Sequence, residues 1–137
     1  MLALSQRLTL GLVVAVIAMI ADPSGPLGVV GAAYATSMFV LGCVTNVMAF
    51  ARAISRSRTE VVEVSSIWFP TGSVMERGLR RQLHGATIAQ FVIGVIGAGV
   101  RPFTLAAFGV LAFLAGMGLT GLCSARYGVF PDKPERH

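Results

Sequence analysis

Four long stretches of the chain carry no charged side chain, and they constrain its fold more than any other feature. They are residues 8–21, 23–51, 82–100 and 102–125. A helix needs about 20 predominantly apolar residues to cross about 30 Å of hydrocarbon. The last three stretches reach that length, and the first reaches it if the Arg7 side chain extends to the headgroups. The sequence therefore predicts an all-α membrane protein with four transmembrane helices, at residues 2–21, 27–51, 74–100 and 103–125.

The composition agrees with this architecture. Hydrophobic residues make up 55% of the 137 residues, and charged residues make up 12%. The charged fraction of an ordinary soluble domain is roughly 25%, so this chain has too little polar surface for a water-soluble globule. We therefore exclude a nucleic-acid-binding module, a disulfide scaffold and a disordered tail. The lipid bilayer is the expected partner.

The first helix has a second interpretation. Arg7 and the apolar residues 8–21 together have the basic and apolar regions of a signal peptide. A cut after Ala21 would place Met19 where a small residue is preferred, so an uncleaved helix is the favoured interpretation. A start codon assigned too late is a further explanation for the short first stretch.

Positive charge is distributed unevenly between the two ends of these helices. If all four helices cross the membrane, one side holds the N-terminus, a loop at residues 52–73 with the basic segment that follows it up to residue 81, and the end of the fourth helix with a tail at residues 127–137. That side holds ten of the eleven Lys and Arg residues, and the other side holds Arg101 alone. An excess of Lys and Arg marks the cytoplasmic side. We predict an antiparallel bundle with both termini in the cytoplasm.

Turn-forming and capping residues mark the helix ends. A Pro-Ser-Gly-Pro cluster at residues 23–26 separates the first two helices. Pro102 separates the last two and suits a first helical turn. Ser73 and Glu76 have the spacing of a capping box, so the third helix is expected to start near residue 74, in water.

Small residues recur every four positions on the last two predicted helices. Lipid tails remove the hydrophobic drive between membrane helices, which therefore pack through small residues. We predict that two stripes face one another across the tight turn at Arg101 and Pro102. The stripes are Ala86, Gln90, Gly94 and Ala98 on the third helix, and Ala112, Gly116, Thr120 and Ser124 on the fourth.

The loop between the second and third helices has two interpretations. Residues 59–64 are β-prone and partly alternating, and three bulky apolar residues follow at 67–69. The first interpretation is a short strand or hairpin at the headgroup level, with Trp68 as an interface anchor. The second is a docking edge for a partner protein.

Three arginines precede the apolar part of the third helix. The spacing of Arg77, Arg80 and Arg81 places them on one helix face. Basic residues near a membrane surface attract anionic phospholipids by about 1 kcal/mol each. These arginines are therefore candidate anionic-lipid contacts. The simpler alternative is that they only hold this end of the helix in the cytoplasm.

The residue types that catalysis requires are sparse. None of the six acidic residues lies inside a predicted membrane segment, and no phosphate loop, nucleophile motif or metal-ligand spacing occurs. We therefore predict no catalytic residue, no metal site and no cofactor. Asn46 and Gln90 are the only amides at depth. They either bond to each other as structural glue or line a small polar cleft.

The final part of the chain resembles a group of small, uncharacterised integral membrane proteins of actinobacteria. Residues 101–104 read RPFT, residues 105–111 read LAAFGVL, residues 116–122 read GMGLTGL and residues 125–131 read ARYGVFP. The loop residues 56–61, RSRTEV, are similar to the loop of that group as well. The resemblance implies a bacterial inner (cytoplasmic) membrane. It implies no activity and no site residues.

Three functions are compatible with these features. The leading hypothesis is a non-enzymatic accessory or scaffold subunit of the cell envelope, bound to a larger membrane protein or to copies of itself. The first alternative is a lipid-handling or small-solute transport component that uses the arginine face and the region of Asn46 and Gln90. The second alternative is a membrane enzyme that acts on a lipid headgroup.

Overall fold

The computed structural model describes residues 2–62, 64–69 and 76–131. Among these residues, four helical spans are long and apolar enough to cross a membrane, which confirms that part of the prediction. The final span consists of a 3₁₀ segment continued by an α-helix. The elements are α1 (Leu2–Ala21), α2 (Pro26–Arg56), α3 (Val64–Trp68), α4 (Arg77–Val100), the 3₁₀ segment (Leu105–Ala112) and α5 (Phe113–Tyr127).

A short polar turn joins α1 to α2. Pro26 occupies the first turn of α2. Backbone N–H groups in a first turn have no acceptor within the helix, so proline loses no helical hydrogen bond there. The N–H of Leu27 donates to Asp22 Oδ2 at 3.3 Å. The hydroxyl of Tyr34 donates to the carbonyl oxygen of Leu8 at 3.1 Å, so a polar bond also fixes α2 against α1 further along.

The most extensive interface joins α2 to α5. A Cβ placed on Gly42 would lie 2.5 Å from the carbonyl carbon of Leu114 and 2.6 Å from the amide nitrogen of Ala115, so the two backbones touch there. Small residues permit this close approach between membrane helices. α2 therefore carries a stripe of small residues as well, in addition to the two stripes predicted on the last two helices. Its small buried members are Gly28, Gly31, Ala35, Gly42, Thr45, Ala49 and Ala53.

The final span also packs closely on α4. A Cβ placed on Gly94 would lie 2.5 Å from the carbonyl oxygen of Gly109, and one placed on Gly116 would lie 3.0 Å from Thr87 Cα. The end of α4 therefore contacts the beginning of the final span, and an earlier part of α4 contacts a later part of the final span.

The first third of the final span is a 3₁₀ helix, not the α-helix that the sequence analysis expected. Thr104 is its N-cap residue, and the Oγ1 of Thr104 accepts a hydrogen bond from the N–H of Ala106 at 3.4 Å. Positions three apart share a face in a 3₁₀ helix. The small buried residues of this segment have this spacing. They are Ala106, Gly109 and Ala112.

The loop after α2 contains a short helix, so the predicted strand is wrong: no strand occurs in the described part of the loop. α3 begins at Val64, and Glu63 lies outside the described residues. The N–H of Val61 donates to the carbonyl oxygen of Pro131 at 2.8 Å. The β-prone residues therefore contact the segment after α5 and do not pair among themselves.

Arg56 holds the ends of α2 and α5 together. Its guanidinium forms an ion pair with Glu60 at 2.7 Å and donates to the carbonyl oxygen of Ala125 at 3.2 Å. The same group lies 4.9 Å from the ring centroid of Phe130. A cation at the C-terminus of α5 is also favoured by the helix dipole.

α4 begins at Arg77, three residues later than predicted. Glu76 has φ −54° and ψ 135° and is the N-cap residue of α4. It therefore does not occupy the third helical position that the capping box requires, and the predicted start near residue 74 is corrected to Arg77. Ser73 lies outside the described residues.

Candidate functional site

Three arginines at the start of α4 line one cavity. Arg77, Arg80 and Arg81 surround a space of about 350 Å³ together with Phe69 and His84, and we call it the arginine cavity. The helix itself brings the three cations together, because residues three and four apart are neighbours on its surface. A guanidinium group is a planar fork of donors that matches phosphate and carboxylate oxygens. The arginine cavity therefore has the donors to bind an anionic group with several oxygens.

The charge arrangement at this helix end favours an added anion. The N-terminus of a helix carries a partial charge of about +0.5, and the first turn of α4 holds no acidic residue. Like charges three and four residues apart also repel one another. Among the described residues at this helix end, Glu76 at the N-cap is acidic, and Arg77, Arg80 and Arg81 are cationic. An anion in the cavity would be attracted both by the guanidinium groups and by the helix end.

His84 and Phe69 also line the arginine cavity. His84 Nδ1 lies 3.0 Å from the carbonyl oxygen of Arg80. Because a carbonyl oxygen only accepts, Nδ1 is assigned as the donor. The ring centroids of His84 and Phe69 are 6.3 Å apart. Sequence spacing alone did not include Phe69 in the site, since it comes from the loop.

A second cavity adjoins the first between α4 and α5. It measures about 270 Å³, and we call it the apolar cavity. Thr87 and Thr120 donate their hydroxyls to carbonyl oxygens of their own helices, each at 3.0 Å. Their polar hydrogens are thus already used. The lining residues are Trp68, Phe69, His84, Thr87, Ile88, Phe91, Phe113, Met117 and Thr120.

Trp68 docks on the bundle and forms one wall of the apolar cavity. Its Nε1–H donates to Asn46 Oδ1 at 2.7 Å. A Cβ placed on Gly121 would lie 3.0 Å from that same nitrogen, so the glycine leaves room for the indole ring. The sequence analysis expected Trp68 to be an anchor at the headgroup level. These contacts anchor α3 to α2 and α5, and the position at the headgroup level stays a prediction.

The predicted packing stripes meet only in part. Gln90 and Gly94 of α4 are buried against the final span, whereas Ala86 and Ala98 are half-buried. Ala86 lines an open groove beside Thr9 of α1 and so does not face the final span alone. All four predicted residues of the final span are buried: Ala112, Gly116, Thr120 and Ser124.

Gln90 and Asn46 have different hydrogen-bond partners, so of the two alternatives the bond between them is not formed. Gln90 has no exposed surface. Its Nε2 donates to Thr9 Oγ1 at 2.9 Å, and its Oε1 accepts from the N–H of Gly116 at 3.1 Å. The Nδ2 of Asn46 donates to the carbonyl oxygen of Gly42 at 2.8 Å. Each amide therefore forms structural hydrogen bonds at a different place in the bundle.

No group of three or more His, Cys, Asp or Glu side chains could hold a metal ion in the part of the chain that the structure describes. No protein-family model matches the chain, and no curated protein or solved structure matches it either.

Proposed function

We propose that the chain is a non-enzymatic, multi-pass protein of the bacterial inner membrane that binds anionic phospholipid headgroups in the arginine cavity. The observation that carries this proposal is that Arg77, Arg80 and Arg81 line one cavity at the N-terminus of a membrane-length helix. A phosphate group accepts charge-assisted hydrogen bonds from guanidinium groups, often two at once. Such bonds are about twice as strong as those between neutral groups.

We place the arginine cavity on the cytoplasmic side, together with both termini. The uneven distribution of Lys and Arg supports this orientation. Helices of alternating direction are supported by the contacts of Gly94 with Gly109 and of Thr87 with Gly116. The resemblance to actinobacterial membrane proteins supports the choice of membrane. The cytoplasmic leaflet is rich in anionic lipid, so the cavity faces the leaflet that carries its ligand.

Replacement of arginine by lysine tests this proposal. Lysine keeps the charge that orients α4 but lacks the planar fork that binds phosphate through two bonds. We expect Arg80→Lys and Arg81→Lys each to lose about 1.5 kcal/mol of binding, or roughly tenfold in affinity for anionic lipid. The measurement compares binding of phosphatidylglycerol and phosphatidylcholine to the reconstituted protein, with insertion and orientation checked separately.

Arg58→Lys is the matched control, because Arg58 is exposed in the turn after α2 and does not line the arginine cavity. It should keep the preference for phosphatidylglycerol. If the preference is unchanged in Arg80→Lys and Arg81→Lys too, the three arginines only orient the helix and the proposal is wrong.

An accessory or scaffold role, with a larger membrane protein or with copies of the chain, stays a prediction. Purification in mild detergent separates it from the lipid proposal. Stable co-purification of a larger membrane protein would favour the scaffold role. Co-purification of anionic lipid, lost in Arg81→Lys, would favour the lipid-binding role.

A further inference from the structure

We infer that the apolar cavity binds one acyl chain of the same anionic phospholipid, so that the protein holds both the head and the tail of its ligand. This inference rests on the proposed function, because the arginine cavity supplies the site for the head. The ligand class is a phosphate-bearing amphiphile with a long hydrocarbon chain, drawn from the surrounding leaflet.

One face of α4 changes from cationic to apolar along the direction in which such a lipid would lie. The residues follow one another at helical spacing and line one cavity or the other. The face covers about 21 Å of helix axis. In order along α4, its principal residues are Arg77, Arg80, Arg81, His84, Ile88 and Phe91.

The two cavities adjoin at a pair of aromatic side chains. Phe69 and His84 line both cavities, and their rings are tilted by 47° to one another. Beyond them, Phe91 and Phe113 meet edge to face with ring centroids 5.5 Å apart. A lipid acyl chain that passes Phe69 and His84 therefore continues between aromatic and aliphatic side chains of α4 and α5.

The polar side chains of the apolar cavity other than His84 have partners of their own. The hydroxyls of Thr87 and Thr120 bond within their helices, and the indole N–H of Trp68 bonds to Asn46. A polar ligand would find these donors already used, whereas hydrocarbon needs none of them. This favours an acyl chain over a polar solute as the occupant.

We expect the apolar cavity to fix the position of the acyl chain and to add little to the affinity for the lipid. A tail that moves from the bilayer into the cavity exchanges one apolar phase for another, so it gains little from the hydrophobic effect. The cavity instead fixes where the tail lies while the arginines hold the head. The experiment must therefore report the location of the chain as well as binding.

Trp68 is the only tryptophan of the protein and lines the apolar cavity. Its fluorescence therefore reports directly on a lipid acyl chain in that cavity. The probe is a phosphatidylcholine vesicle that contains a small fraction of lipid brominated near the carboxyl end of its chains, because bromine quenches tryptophan on contact. Brominated phosphatidylglycerol should quench Trp68 more strongly than brominated phosphatidylcholine at the same fraction. Arg81→Gln should abolish the difference.

A variant that obstructs the cavity with a rigid aromatic ring completes the test. Met117→Phe should reduce quenching by brominated phosphatidylglycerol to the level of brominated phosphatidylcholine. Met48→Phe on α2 is the matched control, since Met48 is exposed and does not line the cavity. Ile88→Phe, at a cavity residue that is 62% exposed, is the second variant if Met117→Phe does not fold.

The possible failures are distinguishable. If both brominated lipids quench equally while the arginine-dependent preference for phosphatidylglycerol persists, only bulk lipid lies against Trp68. The inference is then wrong and the proposed function stands. Unchanged quenching in the phenylalanine variant that folds has the same meaning. If wild-type protein shows no preference for phosphatidylglycerol in either measurement, the proposed function and the inference both fail.

Discussion

Gln90 connects three helical segments through one side-chain amide. It is fully buried and bonds to α1 through Thr9 and to α5 through the N–H of Gly116. Water does not compete for these bonds inside a bilayer, and apolar side chains gain little from contact with one another there. A single buried amide can therefore fix the relative positions of helices that are otherwise surrounded by lipid.

Replacement of this amide by leucine should destabilise the bundle. Gln90→Leu has a similar size but leaves the N–H of Gly116 without its side-chain acceptor, and we expect a loss of about 1–2 kcal/mol in the free energy of unfolding. The measurement is an unfolding titration with sodium dodecyl sulfate in mixed micelles. Gln82→Leu, at an exposed position of the same helix, is the control. Equal stability of the two variants would contradict this role of Gln90.

At the scale of elements, the glycines of α4 differ in what faces them. A Cβ on Gly94 would lie 2.5 Å from the backbone of the 3₁₀ segment, whereas a Cβ on Gly99 would have no atom within 4 Å. The first glycine therefore permits a helix contact. The second only lowers the helix propensity of its own segment.

The two glycines should respond to alanine with opposite sign. Gly94→Ala must separate α4 from the 3₁₀ segment, and we expect it to lose about 1–3 kcal/mol of stability. Gly99→Ala removes a poor helix former without a clash and should gain up to about 1 kcal/mol. Melting in detergent compares the two variants on one helix. A gain in stability for Gly94→Ala would show that this contact is not close.

Local spacing predicted the spans and the arginine face, because bilayer thickness and helix geometry act on neighbouring residues. The period-three series Ala106, Gly109 and Ala112 is visible in the sequence as well, but the span was interpreted as a uniform α-helix. The β-prone loop was misassigned because docking of Trp68 on Asn46 overrides local propensity.

The apolar cavity could not be predicted from spacing. Its walls combine Phe69 from the loop with Phe113 and Met117 from a helix distant in sequence. Only tertiary packing brings these side chains together. The one local signal was the continuation of the arginine face through His84 to Phe91.

At the scale of the whole molecule, the start of α1, the described part of the loop after α2 and the segment after α5 lie at one end of the bundle. Val61 of the loop bonds to Pro131 after α5, and Leu2 of α1 packs beside Leu79 and Leu83 of α4. The turn at residues 101–104 lies at the other ends of the spans that it joins. This arrangement makes a two-sided labelling experiment decisive for the proposed orientation.

Cysteine labelling with a membrane-impermeant reagent should distinguish the two ends. In a background with Cys43→Ala and Cys123→Ala, Phe103→Cys should react in intact cells, since Phe103 is 100% exposed. Thr59→Cys, in the exposed turn after α2, should react only after permeabilisation. Labelling of both from the same side would contradict four crossings, and the reverse pattern would contradict cytoplasmic termini.

The 3₁₀ segment also sets the reach of the final span. A 3₁₀ helix advances about 2.0 Å per residue and an α-helix about 1.5 Å. The eight residues Leu105–Ala112 therefore extend about 4 Å further than the same residues would in an α-helix. A change of this segment to α-helix would shorten the span by that amount. Hydrophobic mismatch acts on such a difference, so thicker bilayers favour the 3₁₀ form and thinner ones oppose it.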